Sequence, residues 1–205
     1  TNAMYEKCVA VGACNPPRQP SSNTREWYYG NPEFANYPVL HVSWEDANAY
    51  CRWTKRRLPT EAEWEKAAGW DQEKQQNMLY PWGEEFAGSN ANFCDLNCSL
   101  EGKNESFDDG YIDTAPVKSY MTGGSYYGVY DMAGNVWEWV ADWYGENYYL
   151  ESPASNPQGP SFGKYRILRG GAWSSMQGDL TTSFREGNLP NTTDSNLGFR
   201  CAKDK

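Results

Sequence analysis

The sequence predicts an α+β fold with two main helices, few short strands and extensive loops. Three observations carry this. Two helix-start signals stand close together, Ser43 with Asp46 and Thr60 with Glu63. The apolar runs compatible with strands are brief, as in WEWV at 137–140 and YRIL at 165–168. Long polar connections separate them, a pattern that compact domains tolerate when the loops bind something or are clipped by disulfides or ions. The 205 residues suffice for one domain with a substantial core, and no Pro/Ser/Gly-rich linker divides 1–205.

The first element is a short helix from Thr1 to about Val11, with Ala3, Met4, Cys8 and Val11 as its apolar or small positions; Gly12 and Pro16-Pro17 end it. Residues 18–37 read as an ordered loop anchored by Tyr28, Tyr29, Phe34 and Tyr37. PVLHV at 38–42 predicts a short strand. Ser43 then caps a helix running to about Lys55, whose Ala47, Tyr50, Cys51 and Thr54 share one face. Thr60 and Glu63 open a second helix with Trp64, Ala67 and Ala68 on one stripe and Gly69 as its stop.

Ten Trp and fifteen Tyr at a mean hydropathy of −0.84 describe a core built from amphipathic rings that keep a polar edge. The net charge of −9 disfavours nucleic acid and anionic membrane as partners, since both repel an acidic surface, and favours cations. No apolar run approaches the ~20 residues of a membrane span.

Six cysteines allow fifteen pairings, which the count leaves open. Cys8 with Cys14 and Cys94 with Cys98 are close enough to clip short loops, which would leave Cys51 and Cys201. Such bridges imply an oxidising compartment, extracellular or at a cell surface. A zinc site is disfavoured, because no Cys-x2-Cys pair occurs and His41 is the only histidine.

Six segments follow one another in a telling order: HVSWEDA at 41–47, RLPTEAEWE at 57–65, YPWG at 80–83, GVYDMAGNVWEW at 128–139, RGGAW at 169–173 and GFRC at 198–201. Together they resemble the successive signatures of the formylglycine-generating-enzyme (sulfatase-modifying-factor) family, and TNAMY at 1–5 resembles a further block. The resemblance implies a C-type-lectin-like core and a Cys51–Cys201 bridge between helix and C-terminal strand. The family's opening strands precede this sequence, so an upstream domain or fragment of the same precursor is an expected partner.

The resemblance also implies two calcium sites. Asp131, Gly134, Val136 and Glu138 lie in one tight segment, where two carboxylates and two carbonyls can converge on a hard cation, and calcium accepts such mixed oxygen sets. Asn92, the Phe93 carbonyl, Asp109 and the Tyr111 carbonyl match the family's other site in order. Trp82, Trp137 and Trp139 are read as core.

The family's oxidase chemistry requires two cysteines after the RGG block, as soft sulfur ligands for copper. Here those positions hold Ser175 and Leu180, and a hydroxyl and an isobutyl group cannot replace thiolates. One histidine cannot supply the histidine triad of the family's iron enzymes. No catalytic residue is therefore assigned, and a family enzyme with a different active site is the alternative reading.

Between Trp173 and Gly198 the chain is rich in small polar residues with a few large anchors, a composition suited to an adaptable recognition surface. Ser174, Ser175, Met176, Gly178, Asp179, Thr182, Phe184, Glu186, Asn188, Leu189, Thr192 and Ser195 are the expected face, for a protein or other surface ligand. This segment also resembles the diversified region of variable proteins of diversity-generating retroelements. Adenine-directed mutagenesis of asparagine codons reaches Ser, Gly, Asp, Leu, Thr, Phe and Asn, and leaves Met176, Gln177 and Glu186 to be template-fixed.

Overall fold

The computed structural model describes residues 1–204. Three helices of similar length precede a small mixed sheet: α1 (Asn2–Ala10), α2 (Trp44–Trp53) and α3 (Glu61–Gly69). Both expected capping boxes form. The Asp46 N–H donates to Ser43 Oγ at 3.2 Å and the Ser43 N–H to Asp46 Oδ2 at 3.1 Å; Thr60 and Glu63 reciprocate at 3.2 and 2.9 Å. Satisfying two otherwise orphaned amides at each start lets these short helices begin where they do. Gly69 does end α3, but its φ is not positive; a Cβ there would lie 2.8 Å from Thr182 Oγ1, so the glycine serves close packing.

A two-stranded hairpin follows, β1 (Trp70–Asp71) with β2 (Gln76–Asn77). The main sheet contains β3 (Trp137–Trp143), β4 (Arg166–Arg169), β5 (Arg185–Asn188) and β6 (Leu197–Phe199), in the order β5-β4-β3-β6. β3–β4 and β4–β5 are antiparallel, and β3–β6 is parallel. A short helix, α4 (Tyr148–Glu151), stands between β3 and β4.

The expected strand at 38–42 does not form. His41 has φ 55°, which breaks the extended path, and its N–H donates to Asp194 O at 3.0 Å instead of to a strand partner. Val39, Leu40 and Val42 are nonetheless buried, so their apolar character was spent on packing.

The central core joins Ala47 and Cys51 of α2 and Leu58 to Trp137, Trp139 and Leu168 of the sheet; α3 adds Trp64 and Ala68 beside Met132, Val140 and Ile167. Trp137 and Trp139 are thus core, as expected, while Trp82 stacks on Tyr80 with ring centroids 5.4 Å apart. Three disulfides form: Cys8–Cys14, Cys51–Cys201 and Cys94–Cys98. They suit an oxidising environment. No helix among the described residues is long and apolar enough to cross a membrane.

Candidate functional site

The segment after β4 is held from beneath by Arg169, whose side chain is fully buried. Its guanidinium donates to the carbonyls of Thr182 (2.8 Å), Ser183 (2.8 Å) and Phe184 (2.5 Å), and pairs with Glu65 of α3. Glu61 lies 3.7 Å away and accepts two bonds from Arg185 at 2.6 and 2.8 Å and one from the Tyr149 hydroxyl at 2.9 Å. A buried charge needs this degree of compensation, and a planar fork of five donors can bind three carbonyls and a carboxylate together. From the sequence Arg169 stands out only as part of the RGG block; no local signal marks it, since β4 (RILR) has an arginine at each end and the carbonyls it binds lie at 182–184.

On this support the expected recognition residues separate. Ser175 is 5% exposed and Thr182 3%, which removes both from the surface. Ser175 Oγ accepts the Ala172 N–H at 3.0 Å and closes the turn after RGG, while Thr182 Oγ1 donates to Met78 O at 2.6 Å. Leu180, fully buried, packs with Tyr80, Ala91, Phe93 and Ala133. Phe184 is half-buried on Trp137, with ring centroids 5.9 Å apart. Gly178, Glu186 and Leu189 are exposed, and Ser174, Met176, Asp179, Asn188, Thr192 and Ser195 are half-buried. Met176 and Gly178 form one wall of a polar cleft of about 520 Å³ whose other wall is the loop at 102–106 with Cys94. The Cys94 N–H donates to Ser175 O at 2.9 Å and ties the two walls together. That opposing loop was missed as part of the face, because its residues are far from 174–195 in sequence.

The two oxygen sets expected to bind calcium lie back to back. Gly134 approaches Asn92 so closely that a Cβ would sit 2.0 Å from Asn92 O, and the Asn135 N–H donates to that oxygen at 2.8 Å. In the first set, Glu138 is held by Arg200 through both carboxylate oxygens (2.5 and 2.7 Å) and accepts the Trp64 indole N–H at 2.7 Å. Arg200 also donates to the carbonyls of Tyr130 (3.1 Å) and Asp131 (2.9 Å), and Asp131 Oδ2 accepts the Lys118 N–H at 2.7 Å. Gly134 O accepts the Val136 N–H at 3.0 Å, and Val136 is buried. The charge of Glu138 is therefore already compensated by a guanidinium.

The second set is different. Asn92 is buried and its Oδ1 has no hydrogen-bond partner, while its Nδ2 donates to Asp113 O at 2.8 Å. Asp109 accepts the N–H groups of Phe93 (2.9 Å) and Tyr111 (2.8 Å) and also faces Asp95 and Asp108. Burial first, with those neighbouring carboxylates, raises its carboxyl to about 7. An orphaned buried acceptor such as Asn92 Oδ1 is an oxygen a hard cation can satisfy, but among the described residues no three acidic, histidine or cysteine side chains converge as a ligand cluster.

An α+β domain of short strands, capped helices and three disulfides, with a C-terminal segment laid over a buried arginine, defines a scaffold that displays loops. The sulfatase-modifying factor enzyme 1-like domain family matches residues 1–205, and the chain belongs to that family. The formylglycine-generating enzyme of Streptomyces coelicolor is 42% identical over 193 residues, which are 89% of this chain and 60% of the relative. Serine/threonine-protein kinase pkn1 of Chlamydia caviae is 44% identical over 176 residues, 84% of this chain but 25% of that protein. The chain thus spans less than two thirds of either curated relative. Among solved structures, Treponema denticola variable protein 1 superposes with a TM-score of 0.68 at 22% identity, covering 97% of this chain and 80% of that one. The fold is the C-type-lectin-like one of this family.

Proposed function

We propose that this domain is a non-catalytic ligand-binding module on the formylglycine-generating-enzyme-like scaffold. One observation carries the reading: the two positions where the family's oxidase has thiolates hold a serine committed to a backbone turn and a leucine committed to the core, and all six cysteines are in disulfides. Neither position offers a soft ligand for copper. The recognition surface comprises Met176 and Gly178 with the 102–106 loop opposite, continuing over Glu186, Asn188, Leu189, Thr192 and Ser195. Its partner is a protein or other surface ligand outside the cell, and diversification of this segment suits its composition. Titration with Cu(I), followed by incubation with a cysteine-containing peptide, should give neither stoichiometric copper binding nor aldehyde in the peptide. Either product would overturn the reading in favour of a family enzyme.

The proposal includes calcium at the second oxygen set, with Asn92, Asp109 and the carbonyls of Phe93 and Tyr111 as its ligands; the ion would neutralise the acidic loop. At the first set, Glu138 would have to exchange Arg200 for the ion. Melting with calcium at about a hundredfold over its Kd should exceed melting in chelator by the equivalent of ~2.7 kcal/mol, and Asp109→Asn should abolish most of that difference. An unchanged midpoint would remove calcium from the reading.

A further inference from the structure

A larger cleft, of about 1010 Å³, lies on another part of the surface and shares no residue with 174–195. Its walls come from α2, α3, the β3–β4 pair and residues 154–158. Arg166, the first residue of β4, stands with its guanidinium carbon 3.6 Å from the Trp143 ring centroid and 3.8 Å from that of Trp44. Two rings at that separation can only lie on opposite faces, so the guanidinium is clamped flat between them. Trp44 is itself fixed by its indole N–H donating to Val140 O at 2.7 Å.

The clamp leaves most of the fork unused. Nη1 donates to Ala141 O at 2.6 Å; Nε is buried without an acceptor, and Nη2 has none among the described residues. Nε is closed to solvent, so Nη2 is the donor that the clamp leaves for a ligand from the cleft. Glu45 and Asp142 act on Arg166 only at a distance, since neither makes an ion pair with it among the described residues.

The rest of the cleft has the matching bias. Its carboxylates, Glu63 and Asp204, are both engaged by Arg57, at 2.6 and 2.7 Å. Lys66 lines the same space with no acidic partner among the described residues, and Asn48, Asn156 and Gln158 supply amides. On a chain of net charge −9, this pocket presents two unpaired cations.

We propose that this cleft binds a carboxylate, held by Nη2 of Arg166 at the clamp of Trp44 and Trp143, with Lys66 as the second cation. A carboxylate fits better than a phosphate, because a flat group matches a guanidinium held between two indole planes and a tetrahedral one does not. The probe is succinate, titrated into the whole chain while the Arg166 Nε–H resonance and tryptophan fluorescence are recorded. A saturable downfield movement of that resonance with a parallel change in fluorescence is expected. Arg166→Lys keeps the charge but loses the planar donor held between the rings, and should weaken binding about tenfold. Lys66→Gln, at an exposed position that leaves the clamp intact, should weaken it about threefold and decides the matter if Arg166→Lys does not fold. No saturable shift, or unchanged affinity in Lys66→Gln, overturns the proposal, as does tighter binding of inorganic phosphate than of succinate at the same resonance.

Discussion

Glycine at 134 is required for two separate reasons. Its φ of +77° belongs to the left-handed region, and a Cβ there would stand 2.0 Å from Asn92 O, which is backbone and cannot swing away. Asp131 and Asn135, flanking it at φ 57° and 68°, are residue types that tolerate this region. Gly134→Ala should therefore cost at least about 3 kcal/mol in urea unfolding, and a loss below about 1 kcal/mol would show that the two loops can separate cheaply. The same scale shows what identity alone can convey. That Ser175 and Leu180 are not thiolates is plain from the residues. That Ser175 closes a turn and Leu180 fills a core follows only from their neighbours, Ala172 in one case and Tyr80, Phe93 and Ala133 in the other.

At the scale of elements, α2 and α3 were legible because their signals are local: a capping residue and its acidic partner lie three positions apart. A second support of α3 was not. The Glu61 N–H donates to Asp142 Oδ2 at 2.8 Å, across 81 residues of sequence. Burial raises the Asp142 carboxyl to about 6, the Glu61 N–H opposing it and the carboxylates of Glu61 and Glu63 adding to it. Because the folded value exceeds the unfolded one of about 3.9, the folded chain holds the proton longer, and this group's contribution to stability falls as pH rises from about 4 to about 6. Asp142→Asn keeps an acceptor but no titration. Its melting midpoint relative to wild type should climb through that window and level off above it; a flat difference would remove Asp142 as the source. β5 escaped sequence reading because Arg-Glu-Gly-Asn carries no strand pattern, and it is extended only because its edge pairs with β4, Arg169 opposite Arg185. The predicted strand at 38–42 failed for the converse reason: local β character lost to the path that His41 must take toward Asp194.

For the whole molecule, the three disulfides differ in reach. Cys8–Cys14 and Cys94–Cys98 span 6 and 4 residues, whereas Cys51–Cys201 spans 150 and joins α2 to the chain end. Chain entropy scales with the closed loop, so replacing Cys51 and Cys201 together by alanine should cost about 4–5 kcal/mol, and replacing Cys94 with Cys98 distinctly less. Equal losses in chemical denaturation would count against that ordering. The fold class, the two capped helices, the family and the absence of the oxidase's thiolates were all determined by the sequence, since each depends on residue identity, near-neighbour spacing or the order of blocks along the chain. Only the tertiary structure decided that Arg169 carries the C-terminal segment, that Arg200 answers Glu138, that Asn92 holds an unanswered oxygen, and that Arg166 lies clamped between two indoles. Each of these joins groups made neighbours by packing, and burial, which sets the cost of an unpaired charge or acceptor, is a property of the folded chain.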